Sequence, residues 1–388
     1  MTFFNKIINN MNVGWVLIII FIFGISISFF YKKQIKKEFY ICFFIILVVG
    51  FYILDYLIIP PESFDLFRYY DELEYYRNLN FIDSFNMIFS RPNFLWYFLL
   101  RICALFNNNK IVLFFTTTVF LFIMIYILYN IKKRYYLSNR QTAISILAFF
   151  SIVNFIHTLS GLRNILAVSI FSYGLSLLIF NNKNNNKFIG YITMLISVFI
   201  HPMTGIFLAF LLFHNIFTKI KYCEIVLLFW NKFSNIILYF LTFVPLPIFN
   251  LYVEKFRLEI STDFGNDIRI FIFEIIEMLY LLYLLFNLQN KVNNIKLNEK
   301  SITADEICEK KYINFFYYLT IFIIGSTGLI NIFIRCRFLV AYFIPLIFAL
   351  KNKHLNLKYN FEVLMLAIVL FINFYYIYYM MCNGIFSV

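Results

Sequence analysis

The feature that most constrains this chain is the recurrence of apolar stretches about as long as a bilayer is thick, separated by short segments that carry the charge. A hydrocarbon core of about 30 Å is crossed by about 20 apolar residues in a helix. Stretches of that kind lie at 13–31, 39–59, 111–131, 142–158, 162–180, 234–251, 269–287, 312–333, 338–350 and 360–380. A soluble core stops growing near about 250–300 residues. A chain of 388 residues that is 62% hydrophobic and 14% charged therefore has more apolar surface than a soluble interior takes up. Barrel strands would alternate apolar and polar residues, and these stretches do not. The expectation is an all-α, polytopic integral membrane protein of about 10–12 transmembrane helices, organised as a single transmembrane domain over residues 1–388.

Two stretches depart from a plain span. Residues 94–106 are too short to cross and read as an interfacial or re-entrant helix. Residues 188–217 are too long for one helix and are interrupted at His201-Pro202, with Lys183 and Lys187 before and Lys219 and Lys221 after. Both flanks fall on the same side if the stretch goes in and returns, with a helix break at 201–202 as the turn. The first stretch, Val13 to Tyr31, is followed by Lys32, Lys33, Lys36 and Lys37, which reads as a retained helix with a positive flank rather than a cleaved signal.

Orientation follows the basic loops. Loops 32–38, 132–140, 181–187, 218–233, 288–311 and 351–359 fall on one side, taken as cytoplasmic. Loops 60–93 and 250–268 and the turns 159–162, 201–204 and 334–337 fall on the other, and both termini are expected there. Lysine and arginine then divide: cytoplasmic loops hold 19 of the 22 lysines, whereas the outer side holds nine of the eleven arginines, namely Arg68, Arg77, Arg91, Arg101, Arg163, Arg257, Arg269, Arg335 and Arg337. Topology alone would deplete both cations outside. Arginine presents a planar fork of donors that grips phosphate and carboxylate, so the outer face is equipped to hold an anion. The alternative for the loop arginines is simple pairing with Glu62, Asp65, Asp71, Glu72 and Glu74. The net charge of +13 is thus an orientation signal, and no nucleic-acid partner is expected.

Several constellations can carry chemistry. Ser160-Gly161-Leu162-Arg163-Asn164 opens a helix, and the helix dipole disfavours a cation in a first turn, so Arg163 should have a partner or a ligand. His201, beside a proline that removes a backbone donor, can act as a base or donate to phosphate. The plainer readings are a snorkelling arginine and a polar turn histidine. Arg335-Cys336-Arg337 reads as a short outer turn whose two arginines suit a diphosphate. The segment Ser63 to Arg77 mixes acids, arginines and tyrosines in the way sugars are bound, with Asp65, Arg68, Tyr69, Tyr70 and Asp71 as candidate contacts; an amphipathic interfacial helix is the plainer reading. Glu274 and Glu277 lie one turn apart in a span, where carboxylates normally face the bundle interior, with Arg269 as one possible partner. The six cysteines are scattered without metal spacing, so neither a zinc site nor a disulfide framework is expected, and no cofactor.

The order of these motifs resembles the EpsG family of Wzy-type polysaccharide polymerases. The resemblance lies in Asp65 to Tyr70, in Arg91-Pro92-Asn93-Phe94 before the short helix, in Gly161-Leu162-Arg163-Asn164-Ile165-Leu166-Ala167, and in Ile200-His201-Pro202-Met203-Thr204. It spans about residues 50–215, with a weaker echo at Arg337, Tyr342 and Pro345. The family pattern has Glu where this chain has Arg91, Gln where it has Asn164 and Lys where it has Pro202. The first of these puts a carboxylate role at that position in doubt. The resemblance implies transfer of a growing glycan from undecaprenyl diphosphate to an incoming lipid-linked repeat unit, at the outer face of the cytoplasmic (inner) membrane and without metal. It implies O-antigen, capsule or exopolysaccharide as product, with a flippase and a chain-length regulator as partners. In that scheme Arg163, Arg335 and Arg337 hold diphosphate, His201 is base or phosphate donor, Asn164 contacts substrate, and the 63–77 segment holds sugar. Two other classes compete. One is a multi-span lipid-linked-sugar glycosyltransferase using Asp71-Glu72 with a divalent metal. The other is a transporter, for which matching broken helices in both halves are expected and one break is found.

Overall fold

The structure is a computed structural model that describes residues 37–57, 65–153, 161–180, 184–217, 268–295, 304–325 and 330–355. The predicted spans 13–31, 234–251 and 360–380 and the predicted loop 250–268 lie outside the described residues. Regular structure among the described residues is helical, with no strand. In chain order the helices are α1 (Lys37–Leu57), α2 (Asp65–Asn78), α3 (Phe81–Phe89), α4 (Phe94–Cys103), α5 (Ile111–Tyr135), α6 (Asn139–Ile152), α7 (Leu162–Phe180), α8 (Asn184–Ile200), α9 (Met203–Phe217), α10 (Ile268–Ile295), α11 (Ala304–Gly325) and α12 (Ile330–Leu355). Of these, α5 and α7 are long and apolar enough to cross a membrane; at about 1.5 Å per residue each reaches roughly the thickness of the hydrocarbon core. The described residues form two compact units, one up to residue 205 and one from 206 onward, the division falling inside α9.

Unit 1 is built on helices whose directions can be read from their contacts. Tyr40 meets Tyr129 at 5.6 Å, Phe44 meets Phe122 at 5.9 Å and Tyr52 meets Phe114 at 5.1 Å, so α1 and α5 are antiparallel. Lys132 Nζ donates to Asn139 Oδ1 at 3.1 Å and Phe120 meets Phe149 at 5.4 Å, so α6 runs back along α5. Tyr126 meets Tyr173 at 5.2 Å and Arg134 Nη1 donates to the Ile179 carbonyl at 3.0 Å, so α5 and α7 are parallel. The packing of α7 on α8 is antiparallel and close. A Cβ built on Gly174 would stand 2.6 Å from the Gly190 oxygen, and one on Gly190 would stand 2.8 Å from the Gly174 oxygen. Small residues let membrane helices approach in this way.

These directions sort the helix ends. The start of α1, the end of α5, the start of α6, the end of α7 and the start of α8 share one end of the unit, with Lys132, Lys133 and Lys187. The other end holds the starts of α5 and α7 and the end of α8. Here α2, α3 and α4 are packed, through a core that joins Leu66, Tyr69, Leu73 and Tyr76 of α2 to Trp96 and Leu100 of α4, Leu162 and Leu166 of α7 and Ile200 of α8. The segment expected as an outer loop at 60–93 is therefore largely two helices. Leu66, Tyr69, Leu73 and Tyr76 recur at three and four residues and make the buried stripe of an amphipathic helix. Asn80 caps α3 by accepting from the Asp83 N–H at 2.8 Å.

Unit 2 contains α10, α11 and α12. Gln289 Nε2 donates to Asn314 Oδ1 at 3.0 Å and Phe286 meets Tyr317 at 6.4 Å, so α10 and α11 are antiparallel. Phe316 meets Phe343 at 4.9 Å, and Lys353 Nζ pairs with Glu309 at 2.9 Å, so α12 runs back along α11. Here the structure differs from the sequence reading. Arg335-Cys336-Arg337 does not form a turn but lies inside α12, a 26-residue helix that also contains Pro345. Arginine inside a helix looks like a span end to hydropathy, yet Arg337 is accommodated because Glu277 of α10 faces it. The basic loop expected at 288–311 is likewise shortened, since α10 runs to Ile295 and α11 begins at Ala304.

Candidate functional site

The site is at the end of unit 1 that carries α2–α4, and it begins with the helix start of α7. The chain enters α7 at Leu162, so Arg163 and Asn164 occupy its first turn, where backbone N–H groups have no helical acceptors. Asn164 is 2% exposed, and neither its amide oxygen nor its amide nitrogen has a hydrogen-bond partner among the described residues. The Nε of Arg163 is in the same position. Buried polar groups are nearly always satisfied, and each one left without a partner costs about 1–3 kcal/mol.

Helix α2 brings its own polar groups to the same place. Burial raises the carboxyl of Glu72 above its ordinary range, against the pull of Arg68, Arg91 and Arg163, with Asp65 adding to the rise. Its Oε2 is buried without a hydrogen-bond partner among the described residues. Burial likewise pushes the Tyr69 hydroxyl up to about 12; Asp65 adds to the rise, while Arg163 and Arg68 oppose it. Glu72 and Tyr69 therefore share a field with Arg163 of α7. Tyr76 is pushed up to about 12 by burial, with Arg91 opposing and Glu72 adding. The Tyr76 hydroxyl and the indole Nε1 of Trp96 are two further buried donors without partners among the described residues.

Other charged groups near this end are committed. Arg68 pairs with Asp65 at 3.1 Å. Arg77 holds the Phe106 carbonyl through Nε at 3.2 Å and Nη2 at 2.8 Å. Arg101 holds the Tyr76 carbonyl at 2.5 Å and the Leu79 carbonyl at 3.4 Å. These last two arginines clasp α2 to α4 and the turn that follows it, a structural use not visible in the sequence. The Arg91 guanidinium lies over the Tyr97 ring at 4.1 Å. Among the described residues no three His, Cys, Asp or Glu side chains gather into a group that could hold a metal ion.

His201 stands in the break between α8 and α9 and is 8% exposed. Its Nδ1 accepts the Met203 N–H at 3.2 Å, and its carbonyl accepts both the Thr204 N–H at 3.1 Å and the Thr204 hydroxyl at 2.9 Å. The ring and carbonyl thus cap the start of α9. A backbone N–H can only donate, so Nδ1 is unprotonated and the neutral ring carries its proton on Nε2.

The structure brings Asp65, Arg68, Tyr69, Arg163 and Asn164 of the sequence-predicted set to one end of one unit. Tyr69 is there as a core residue, 1% exposed with its ring edge-on to Trp96 at 4.8 Å, so its face is not available for stacking on a sugar. Tyr70 is half-buried and Asp71 exposed on the same helix. His201 is likewise in unit 1, and the remaining candidates fall in unit 2. Arg337 is 1% exposed and its Nη2 stands 3.5 Å from Glu277 Oε2. Arg335 and Arg337 are both positions within α12 and not in a loop. Arg269 and Glu274 lie in α10, Glu274 one turn before Glu277. Sequence reasoning named Glu72 only with Asp71 as the acidic pair of a competing class and Arg91 only among the outer arginines, and it did not select Trp96 or Tyr76. The available signals were the i, i+4 spacing of Arg68 and Glu72, and the i, i+3 and i, i+4 recurrence of Tyr69, Leu73 and Tyr76, which marks the buried face.

Comparison with known proteins adds to this geometry. No curated protein and no solved structure matches the chain. The profile of the EpsG family matches residues 63–387, well past the residues that carried the motif resemblance. This is a family of Wzy-type polysaccharide polymerase-like membrane proteins. The match covers most of the chain and every helix described from α2 onward, so the chain belongs to the EpsG family.

Proposed function

We propose that this protein joins undecaprenyl-diphosphate-linked oligosaccharide repeat units into a surface polysaccharide at the outer face of the cytoplasmic membrane. The family supports a polysaccharide polymerase role in general. The observation that carries the finer reading is the first turn of α7, where Arg163 and Asn164 present polar atoms without partners beside Glu72 and Arg91. Such a cluster suits a ligand that is anionic at one point and rich in hydroxyls at another, and a glycosyl diphosphate is both. When the glycosyl carbon–oxygen bond breaks, negative charge grows on the diphosphate, and fixed guanidinium donors stabilise it as it forms. Arg163 is assigned that role with Arg91 beside it, and the His201 Nε2–H is assigned as a donor to phosphate rather than as base. Asn164, Tyr70 and Asp71 are assigned to the glycan. The reading uses unit 1 alone, and in it the arginines do the work a divalent ion does in other glycosyl transfers.

The test is glycan analysis of a strain lacking the gene. Single repeat units on the surface in place of polymer are expected, and plasmid-borne wild type should restore the polymer. Arg163→Lys, which keeps the charge but loses the planar fork, should fail to restore it, and a chelator should leave the wild-type reaction of the purified protein unchanged. Loss of all surface glycan, with repeat units trapped inside, would instead mean transport.

A further inference from the structure

Resting on the polymerase reading, we propose that Glu72 is the general base of the transfer, taking the proton of the acceptor hydroxyl on its Oε2. The geometry reaches it by elimination. Asp65 is held by Arg68 at 3.1 Å. Glu74 Oε1 accepts from Asn109 at 3.2 Å. Asp83 is held by Asn80 at 2.6 Å. Asp71 is exposed, and a water-covered carboxylate is a weak base. His201 has Nδ1 committed to the Met203 N–H. Among the described residues of unit 1, what is left near this end is Glu72, on the stretch of α2 between Tyr69 and Tyr76, with one oxygen buried and without a hydrogen-bond partner among them. The charged groups whose fields act on it are Asp65 and Arg68 on α2 itself, Arg91 from the turn before α4, and Arg163 from α7.

The step balances without a co-reactant. The acceptor oxygen forms its bond to the anomeric carbon as the bond from that carbon to the diphosphate oxygen breaks. The diphosphate leaves with the bonding pair, held by arginine. The acceptor proton moves to Glu72 Oε2 and from there to water. The same arginines that hold the leaving group also lie near the carboxylate and would weaken it as a base. Burial outweighs them and keeps the carboxyl above its ordinary range, closer to the operating pH at which general bases work best.

The experiment uses the full-length protein in lipid nanodiscs with a defined lipid-linked repeat unit, following release of carrier diphosphate across a pH series. Wild type should show a rate that rises with pH along an acid limb placed above the ordinary carboxylate range. Glu72→Gln should lower the rate by about 10²–10⁴-fold, the usual contribution of a positioned base, and lose that limb. Glu72→Asp should keep part of the rate and a limb shifted in pH. A Glu72→Gln protein within a few fold of wild type and with the same limb overturns the assignment. If Glu72→Gln does not fold, Glu72→Asp decides, and an unshifted limb overturns the assignment. Failure of the polymerase reading looks different, because wild type would then release no carrier diphosphate at any pH.

Discussion

The two ends of unit 1 are built from the same helices and treat their polar groups in opposite ways. At the lysine-bearing end several polar groups are paired across helices or capped. Ser138 and Gln141 close a reciprocal capping box on α6, with the Gln141 N–H donating to Ser138 Oγ at 3.2 Å and the Ser138 N–H to Gln141 Oε1 at 2.7 Å. Arg134 donates to the Ile179 carbonyl at the end of α7, and Lys132 to Asn139. At the other end Arg163 Nε, the Asn164 amide, Glu72 Oε2, the Tyr76 hydroxyl and the Trp96 indole N–H are without hydrogen-bond partners among the described residues. A fold stabilised mainly by burial has no reason to leave one end in that state while closing the other. On the function proposed above, the first end is scaffold and the second is where a bound ligand would supply the missing partners.

The comparison breaks most easily at its two arginines. Each sits at a terminus of α7 or beside it, Arg163 in the first turn and Arg134 against the last. Arg163→Lys should lower polymerisation by about 10²–10³-fold, the loss seen when one fixed donor to a developing charge is removed. Arg134→Lys should leave polymerisation per folded molecule unchanged and cost about 1 kcal/mol of stability, the worth of one hydrogen bond. Glycan ladders and thermal melts on both variants check this. Equal loss of activity at both would remove the distinction between the ends.

The helix pair that joins the ends should respond without preference for either. Gly174 has the Gly190 oxygen where a Cβ would go, and backbone cannot yield as a flexible side chain does. Gly174→Leu should destabilise by about 1–3 kcal/mol or more, the cost of overpacking a fitted interface. Folded yield and melting temperature should fall together, while activity per folded molecule holds. An unchanged melt would mean that α7 and α8 do not meet at these glycines.

Much of this architecture was legible in the sequence, and the parts that were not share a cause. The bounds of α7, the break at His201-Pro202 and the gathering of arginine away from lysine all follow from local pattern, because apolar length, a proline and a charge count are properties of neighbouring residues. The clasps made by Arg77 and Arg101 were not legible, since their partners are the backbone carbonyls of Phe106 and Tyr76, more than twenty residues away and without side-chain signature. Arg337 was placed in a turn because its partner, Glu277, is 60 residues earlier. Tyr69 was read as a sugar platform because an aromatic residue in an acidic segment gives no sign that Trp96 covers it. Glu72 stands out from Asp71 only when the burial of its carboxyl oxygen is known.

The smallest effects separate the two ends most cleanly, because there stability and activity should move in opposite senses. Asn164 is buried with neither amide atom satisfied among the described residues, so an apolar residue of similar volume removes a desolvated group without breaking a bond seen there. Asn164→Leu should leave the melting temperature unchanged or raise stability by about 1 kcal/mol, since an orphaned polar group costs about that much or more, while activity falls by about tenfold as a ligand contact is lost. Ser138→Ala should do the reverse, losing about 1 kcal/mol with the cap and leaving activity per folded molecule intact. A lower melt for Asn164→Leu would show that the amide already has a partner within the protein, and the ligand-binding character of that end would then rest on Arg163 and Glu72 alone.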